Sequence, residues 1–353
     1  MNKSIMCRWI LAGLCIQLLS LSAQAYTVLP AKWASNNTTM RASSASFPPG
    51  NPYTVALGTV VSRWSTNPSN FRFTQTYNDP SVSFGNGQNE VWFSSDASAC
   101  NPAVTYSWWD AAGNLTETDI CFYVGESYTT SMSKSSLWAY GGPFRPFQTT
   151  AMHEYGHALG LGHEADEYNI MGQDWTHLSL NGSTARSYSG EDANDGAVFL
   201  YGLFSGEDMG VVHMKRTGAV GEYSWHDLTK LYNSSGVELP FTVFNGQRRY
   251  NVSRGQTVRV EFTYENNGAT YKSPSVGFYI STNSTINTAD TQFHKFTLGL
   301  GRNDVTTYLR TVTIPATLTR GSTYYLGAIT DWNNLIPEVT ETNNAAYHII
   351  KVN

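Results

Sequence analysis

The sequence has little charge. Asp, Glu, Lys and Arg together make up 14% of its 353 residues, where about a quarter is usual. The signs nearly balance, 22 basic against 27 acidic side chains, for a net charge of -5 and a pI near 5.9. No basic stripe exists that would attract nucleic acid or an anionic lipid surface, so neither is expected as a partner. Cysteine is scarce too, with four in all. Two of them, Cys7 and Cys15, fall in the first 25 residues, and no C-x-x-C pair occurs. That spacing excludes the common cysteine-based zinc modules. Long apolar runs are absent apart from Trp9 to about Leu21, which is short for a bilayer crossing. No membrane span is expected in the mature chain.

The short apolar run reads as an export signal. Lys3 and Arg8 precede it, and Ser22-Ala23-Gln24-Ala25 follows as a small-x-small cleavage site before Tyr26. The expectation is a secreted chain, extracellular or periplasmic in transit. Cys100 and Cys121 then remain, and a pair in an exported protein reads as one disulfide rather than as two free thiols. Closing a loop of about twenty residues would contribute roughly 3 kcal/mol in the chain-entropy account.

Hydrophobic residues make up 41% and aromatics 13%, enough for well-packed cores, and the length favours two domains. Residues 26–50 are rich in Ser, Asn and Pro, with an extended stretch around Val28–Trp33 and room for a short pro-segment. Asn51-Pro52 is a helix start, and Leu57, Val60, Val61 and Trp64 follow at helical spacing. Strands are expected at Phe71–Thr74, Glu90–Phe93, Thr105–Trp109 and Leu115–Tyr123, the last two joined by the turn Asp110-Ala111-Ala112-Gly113-Asn114. A helix begins near Phe147, an irregular stretch covers 164–188, and a helix from Glu191 to Tyr201 stops at Gly202. Beyond about residue 205 alternation takes over. Val258, Val260, Phe262 and Tyr264 share one strand face, and similar runs recur at 275–281, 305–314, 323–330 and 345–352. A β-sandwich is the expected second domain. The expected division is 1–25 signal, 26–50 N-terminal segment, 51–204 first domain and 205–353 sandwich.

The chemistry is concentrated in His153-Glu154-Tyr155-Gly156-His157-Ala158-Leu159-Gly160-Leu161-Gly162-His163. On a helix His153 and His157 stand one turn apart on the same face, a bidentate grip for a metal. Gly160 permits the sharp turn that returns His163 as a third ligand. Three nitrogens with an open fourth position suit catalytic zinc. Glu154, about 100° round the helix from His153, is placed to take a proton as general base from a water that zinc has acidified. The five fixed positions would coincide by chance in roughly one chain of this length in a hundred thousand, so a core helix with incidental histidines is the poorer account. His177, His213, His226, His294 and His348 are spaced irregularly and read as surface or hydrogen-bonding residues.

This motif resembles the extended H-E-x-x-H-x-x-G-x-x-H signature of the metzincin metallopeptidases. Their methionine turn has a counterpart in Asn169-Ile170-Met171-Gly172, making Met171 the candidate. The short interval from His163 to Met171, Thr118-Asp119-Ile120, and Ser189-Gly190-Glu191-Asp192-Ala193-Asn194-Asp195-Gly196 with Leu200-Tyr201-Gly202 are most similar to the matrixins, over about residues 30–202. The resemblance implies an α+β fold, an α/β/α catalytic domain with a twisted mixed sheet and an active-site helix. It implies a zinc endopeptidase acting on protein or peptide substrates, and calcium as a further ion without singling out ligands. It also implies that substrate adds as a strand beside Thr105, Tyr106, Ser107, Trp108 and Trp109, with the 173–188 loop walling a pocket; Trp175 and Tyr188 either shape that pocket or serve as packing aromatics. Glu164 follows the third histidine where matrixins commonly carry Ser, no cysteine-switch motif is present, and Gln173 stands where some metzincins have a zinc-binding tyrosine.

The later part of 205–353 resembles the CARDB module, an immunoglobulin-like all-β domain, through Glu265-Asn266-Asn267-Gly268 and Ile336-Pro337-Glu338-Val339-Thr340-Glu341-Thr342-Asn343-Asn344. The resemblance implies either a spacer or a module binding a cell-surface or matrix ligand. Two functions are thus in view: a secreted zinc endopeptidase using Glu154, or a surface-binding, adhesin-like protein with a structural or vestigial zinc site.

Overall fold

The computed structural model describes residues 26–302 and 304–353; the export signal expected over 1–25 lies outside them. Among the described residues no helix is long and apolar enough to cross a membrane. The first half is built on β1 (Asn37–Ser43), α1 (Pro52–Trp64), β2 (Arg72–Asp79), β3 (Glu90–Ser94), a turn of helix α2 (Ala97–Cys100), β4 (Ala103–Trp109) and β5 (Leu115–Tyr123). Asn51 caps α1 as expected, its side chain accepting the Tyr53 N–H at 2.8 Å, and Pro52 opens the helix. The five strands form one mixed sheet in the order β2-β1-β3-β5-β4. All neighbours run parallel except β4, which is antiparallel to β5 and ends the sheet. β1 was not anticipated. The extended stretch expected at Val28–Trp33 makes only isolated bridges, at Val28 and Lys32, while the inner strand lies some residues later. Its alternation, with Thr38, Met40 and Ala42 inward, is masked by the polar Thr38 on the inner face and by Asn37, Thr39 and Arg41 on the other.

Two short ladders follow in the loops, β6 (Tyr128–Thr129) with β7 (Arg145–Pro146), and β8 (Ser179–Leu180) with β9 (Ala185–Arg186). Between them runs α3 (Phe147–Leu159), and α4 (Glu191–Tyr201) closes this half. Leu57, Val60 and Trp64 of α1 pack with Met152, Tyr155 and Leu159 of α3 and with Met40, Phe73, Ile120 and Phe122 from the sheet. Cys100 and Cys121 are disulfide-bonded, tying α2 to β5.

The second half is all strand. β10 (Met209–Val212), the hairpin β11 (Met214–Val220) and β12 (Tyr223–Leu228), β13 (Leu231–Asn233), β14 (Phe241–Phe244) and β15 (Gln247–Val252) precede β16 (Thr257–Asn266). β17 (Ser275–Ser281), β18 (Thr291–Thr297), β19 (Val305–Thr313), β20 (Thr323–Ile329) and β21 (Ala345–Val352) complete the chain. One sheet centres on β16, which pairs with β10, β13 and β19; the other runs β14-β15-β21-β20-β17-β18. Val258, Val260, Phe262 and Tyr264 face Val276, Phe278, Leu326, Ala328 and Ile350 in a shared core, as period-two alternation requires.

The two halves are not beads on a string. A third apolar cluster joins Leu137, Tyr140, Tyr168, Leu178 and Leu180 from the first half to Val212, Met214, Tyr279, Tyr347 and Ile349 from the second. Polar bonds flank it: Tyr347 Oη donates to Gly182 O at 3.0 Å, and the Asn181 side chain exchanges two hydrogen bonds with the Ile286 backbone. Leu180→Ala would open a void in this joint. Urea unfolding of the full chain should show a loss of about 2–5 kcal/mol, whereas a loss below about 1 kcal/mol would mean the joint bears little of the stability.

Candidate metal centre

Helix α3 brings the first two histidines together and its ending brings the third. Gly160 sits at φ 115° as the C-cap, a left-handed conformation that suits glycine. The carbonyls of the last turn, left without helical partners, are each answered: Trp33 Nε1 donates to Ala158 O at 2.8 Å, Tyr201 Oη to Leu159 O, and the Gly160 and Leu161 N–H groups to His157 O and Gly156 O. The chain then doubles back to His163. The Nε2 of His157 lies 3.0 Å from those of both His153 and His163.

Each remote nitrogen has an acceptor. His153 Nδ1 donates to Ile170 O at 2.8 Å, His157 Nδ1 to Leu161 O at 2.8 Å, and His163 Nδ1 meets Glu222 Oε1 at 2.9 Å. With the proton on Nδ1, the three Nε2 lone pairs point at a common space. Burial first, and then the neighbouring rings, hold these imidazoles neutral: His153 is pushed well below its usual range, His157 to about 3, and His163, by burial, to about 4. Neutral lone pairs crowded this closely repel one another unless a cation lies between them. Ideal tetrahedral ligation at 2.0–2.1 Å would place the nitrogens about 3.3 Å apart, close to what is seen, so the donor set fits zinc. Among the described residues it is also the sole group of three or more His, Cys, Asp or Glu whose ligand atoms all lie within 4.8 Å. For calcium no comparable set exists among them. The buried carboxylates of Glu117, Asp119 and Glu90 accept N–H bonds from the 83–90 backbone.

Glu154 follows His153 on α3 and is almost fully buried. Thr105 Oγ1 on β4 lies 2.7 Å from Glu154 Oε2 and 3.0 Å from the Glu154 carbonyl. Burial raises the carboxyl to about 7, against the lowering effect of the Thr105 bond. The expected substrate strand, Thr105 to Trp109, is half-exposed to exposed and lies on the outer edge of the sheet. Met171 is buried beneath the triad's helix; a Cβ on Gly156 would overlap its Sδ. Asp174, beyond it, accepts from Thr150 Oγ1 and pairs with Arg145, fastening the start of α3 to this loop.

Several expectations need correcting. Of the histidines read as surface or hydrogen-bonding residues, His177, His213, His226 and His348 are buried rather than at the surface, and His213, His226 and His348 take the hydrogen-bonding alternative. His177 stacks between Tyr168 and Tyr188, and His226 bonds Thr176 and Ser224; only His294 is partly exposed. Tyr188 does not wall the cleft, since its hydroxyl donates to Glu265 Oε1 of the sandwich at 3.0 Å. Trp175 stands edge-on to both Trp138 and Trp225. Gln173 is occupied by the hairpin, its Oε1 accepting the His226 N–H at 2.6 Å. Sequence reasoning missed Glu222 and Tyr223 altogether. Glu222 bonds His163, and the Tyr223 ring lies 4.2 Å from the His163 ring, centroid to centroid. Local alternation in 223–228 marks a strand, but nothing in it says where the strand docks.

Comparison with known families follows the same division. Residues 32–195 match the family model described as matrixin, and residues 240–348 match the CARDB family model. No curated protein matches the sequence significantly. Among solved structures, the crystal structure of the CARDB domain of the PF1109 protein from Pyrococcus furiosus in complex with di-metal ions is 18% identical, covering 42% of this chain and 90% of that one with a TM-score of 0.26. A solution NMR structure of the same domain is 23% identical, covering 29% and 84% with a TM-score of 0.23.

The loop under the triad is fitted to the hairpin at Gly172. A Cβ there would overlap the Ser224 hydroxyl and stand 3.1 Å from the Ser224 backbone nitrogen. Gly172→Ala should therefore cost about 1–3 kcal/mol in thermal or urea unfolding. Adding Ser224→Gly should recover part of that loss, and a strictly additive double variant would contradict the contact.

Proposed function

The chain carries a matrixin domain ahead of a CARDB domain and is in kind a zinc metallopeptidase; from that premise we propose that it is a secreted endopeptidase that hydrolyses peptide bonds of extracellular proteins. The observation that carries this reading is the arrangement of three Nε2 atoms around one space, next to a buried carboxylate tethered by the edge strand. His153, His157 and His163 would hold the ion. Zinc, when bound, supplies Lewis-acid chemistry that acidifies water and polarises a peptide carbonyl.

Glu154 moves the proton. Its carboxylate takes the proton of the attacking water and returns it to the departing amine, so the one group serves as base and then acid. Thr105 holds the carboxylate by its hydroxyl and leaves the second oxygen for that work. β4, which has no strand on its outer side among the described residues, offers backbone groups to an extended peptide, and a substrate there would add as a further antiparallel strand. Thr105 to Trp109 would line it.

Export is inferred from the basic, apolar and small-residue pattern of the first 25 residues. We also infer that the peptidase unit takes in residues 26–50, because β1 is an inner strand of its sheet, and that the unit runs to about 204. Removing a pro-segment ending at residue 50 would take that strand away. The sandwich from 205 onward acts as a brace through the shared apolar cluster.

Glu154→Ala should fold, retain zinc and lose at least about 10²–10⁴ in turnover. Casein or gelatin cleavage by the wild type should stop with 1,10-phenanthroline and return on adding zinc. Full activity in Glu154→Ala would remove the assigned base, and zinc-loaded wild type inert toward every protein tried would favour a non-catalytic site.

A further inference from the structure

The hairpin β11–β12 lies outside both family matches, between residues 195 and 240, yet its tip reaches the histidines. Val220 pairs with Tyr223 across a two-residue connection, Gly221-Glu222. Gly221 takes φ 63°, as hairpin turns that put glycine in the first loop position require. That turn holds Glu222 out at the apex, where its carboxylate meets His163 Nδ1 at 2.9 Å.

The rest of the hairpin is pinned to the segments that frame the motif. Ser224 N–H donates to Glu164 O at 3.0 Å, and Arg216 Nε donates to Ala165 O at 2.7 Å. His226 N–H donates to Gln173 Oε1, and the His226 ring bridges Thr176 Oγ1 and Ser224 Oγ. These anchors fall on Glu164 and Ala165, directly after His163, and on Gln173 and Thr176, in the loop that follows Met171, so the apex is held by its base. Tyr223 lays its ring against His163 from the same turn.

We propose that this hairpin is a working part of the metal centre and that Glu222 is a positioning residue for His163, a proposal that rests on reading the triad as a zinc site. The asymmetry of the three histidines points to it. His153 and His157 give their Nδ1 protons to backbone carbonyls of Ile170 and Leu161, within the peptidase fold itself. His163 alone depends on a side chain, and that side chain comes from beyond the peptidase fold. Glu222 meets the nitrogen that faces away from the triad's centre, so it does not compete for the ion. A carboxylate on the remote nitrogen fixes the tautomer and ring angle and raises the basicity of the ligating nitrogen. A simple surface ion pair would contribute little; this contact instead fixes the ring of a ligand whose Nε2 faces the other two histidines. The third ligand is thus delivered by the matrixin fold and aimed by the polypeptide that leads into the sandwich.

The test measures the rate at which zinc leaves the full-length, zinc-loaded chain into excess chromogenic chelator. Glu222→Ala should release zinc about 10–100-fold faster than wild type. Glu222→Gln keeps an acceptor oxygen at the same reach and should fall between the two. Thr217→Val, which removes a hairpin hydrogen bond to Trp225 O without touching His163, should release at the wild-type rate. The proposal is overturned if Glu222→Ala stays within about twofold of wild type, if Glu222→Gln gives no rescue, or if Thr217→Val is as fast as Glu222→Ala. Near-UV circular dichroism checks folding, and should Glu222→Ala fail to fold, the isosteric Glu222→Gln decides alone by releasing several-fold faster or at the wild-type rate. A wild type that holds no zinc would sink the metal reading itself, a separate and distinguishable result.

Discussion

The reversal of the chain at Gly160 is the constraint on which the rest of the centre depends. A side chain at this position would have to adopt a left-handed backbone, and its Cβ would meet Ala31 O and Leu200 Cδ1, each at 3.2 Å. Because glycine permits the turn, Leu161 comes back far enough for its carbonyl to take the His157 Nδ1 proton, and His163 arrives opposite the two helical histidines. The same turn explains why distant segments converge here. The carbonyls exposed by the helix end are closed by Trp33 from the N-terminal segment and Tyr201 from α4. A buried helix end without such partners would cost on the order of 1–3 kcal/mol for each unsatisfied group. The site is therefore held by the first and last parts of the peptidase fold, not by α3 alone.

The second half of the molecule continues that logic. Its apolar cluster with Leu137, Tyr140, Leu178 and Leu180 fixes loops on both sides of α3, and the hairpin docks on the segments after His163 and Met171 through Ser224 and His226. Gly172 has no room for a side chain because Ser224 occupies the space. Glu164, which departs from the serine common in matrixins, is likewise engaged: its carbonyl receives Ser224 N–H and its carboxylate receives Thr27 Oγ1 at 2.9 Å. Departures from the family pattern near the motif thus coincide with contacts to segments that the family pattern does not cover.

What could be read from the sequence was what is local. The capped start of α1 at Asn51, the glycine stop of α4 at Gly202, and the alternation of Val258, Val260, Phe262 and Tyr264 each depend on residues a few positions apart. The meeting of His153 and His157 follows from helical period alone, and that of His163 from one glycine. What stayed hidden depends on packing between distant segments. Inner strand β1 alternates the polar Asn37, Thr39 and Arg41 with Thr38, Met40 and Ala42 and looks like a loop until its neighbours bury the latter face. Four histidines that read as surface or hydrogen-bonding residues are buried in the body of the protein, where ring stacking and hydrogen bonds replace water. Glu222 is an ordinary turn residue by sequence; only the docking of its hairpin turns it toward His163.

Burial acts on the centre in two opposite directions, and the pair of effects suits metal chemistry. Taking an imidazole out of water disfavours its protonated form, so His153, His157 and His163 stand as neutral donors well above their lowered pKa values. No proton has to be expelled from them at neutral pH before they ligate. The same burial disfavours a negative charge, so the Glu154 carboxyl titrates near 7 with only Thr105 bonded to it. A cation at the triad would reverse that bias, because an opposite charge nearby favours the ionised form. On the proposed mechanism, loading the triad and readying Glu154 as a base would be the same electrostatic event. That coupling follows from setting three histidines and one glutamate together in a largely buried cluster, and it would weaken if either the carboxylate or the triad faced open water.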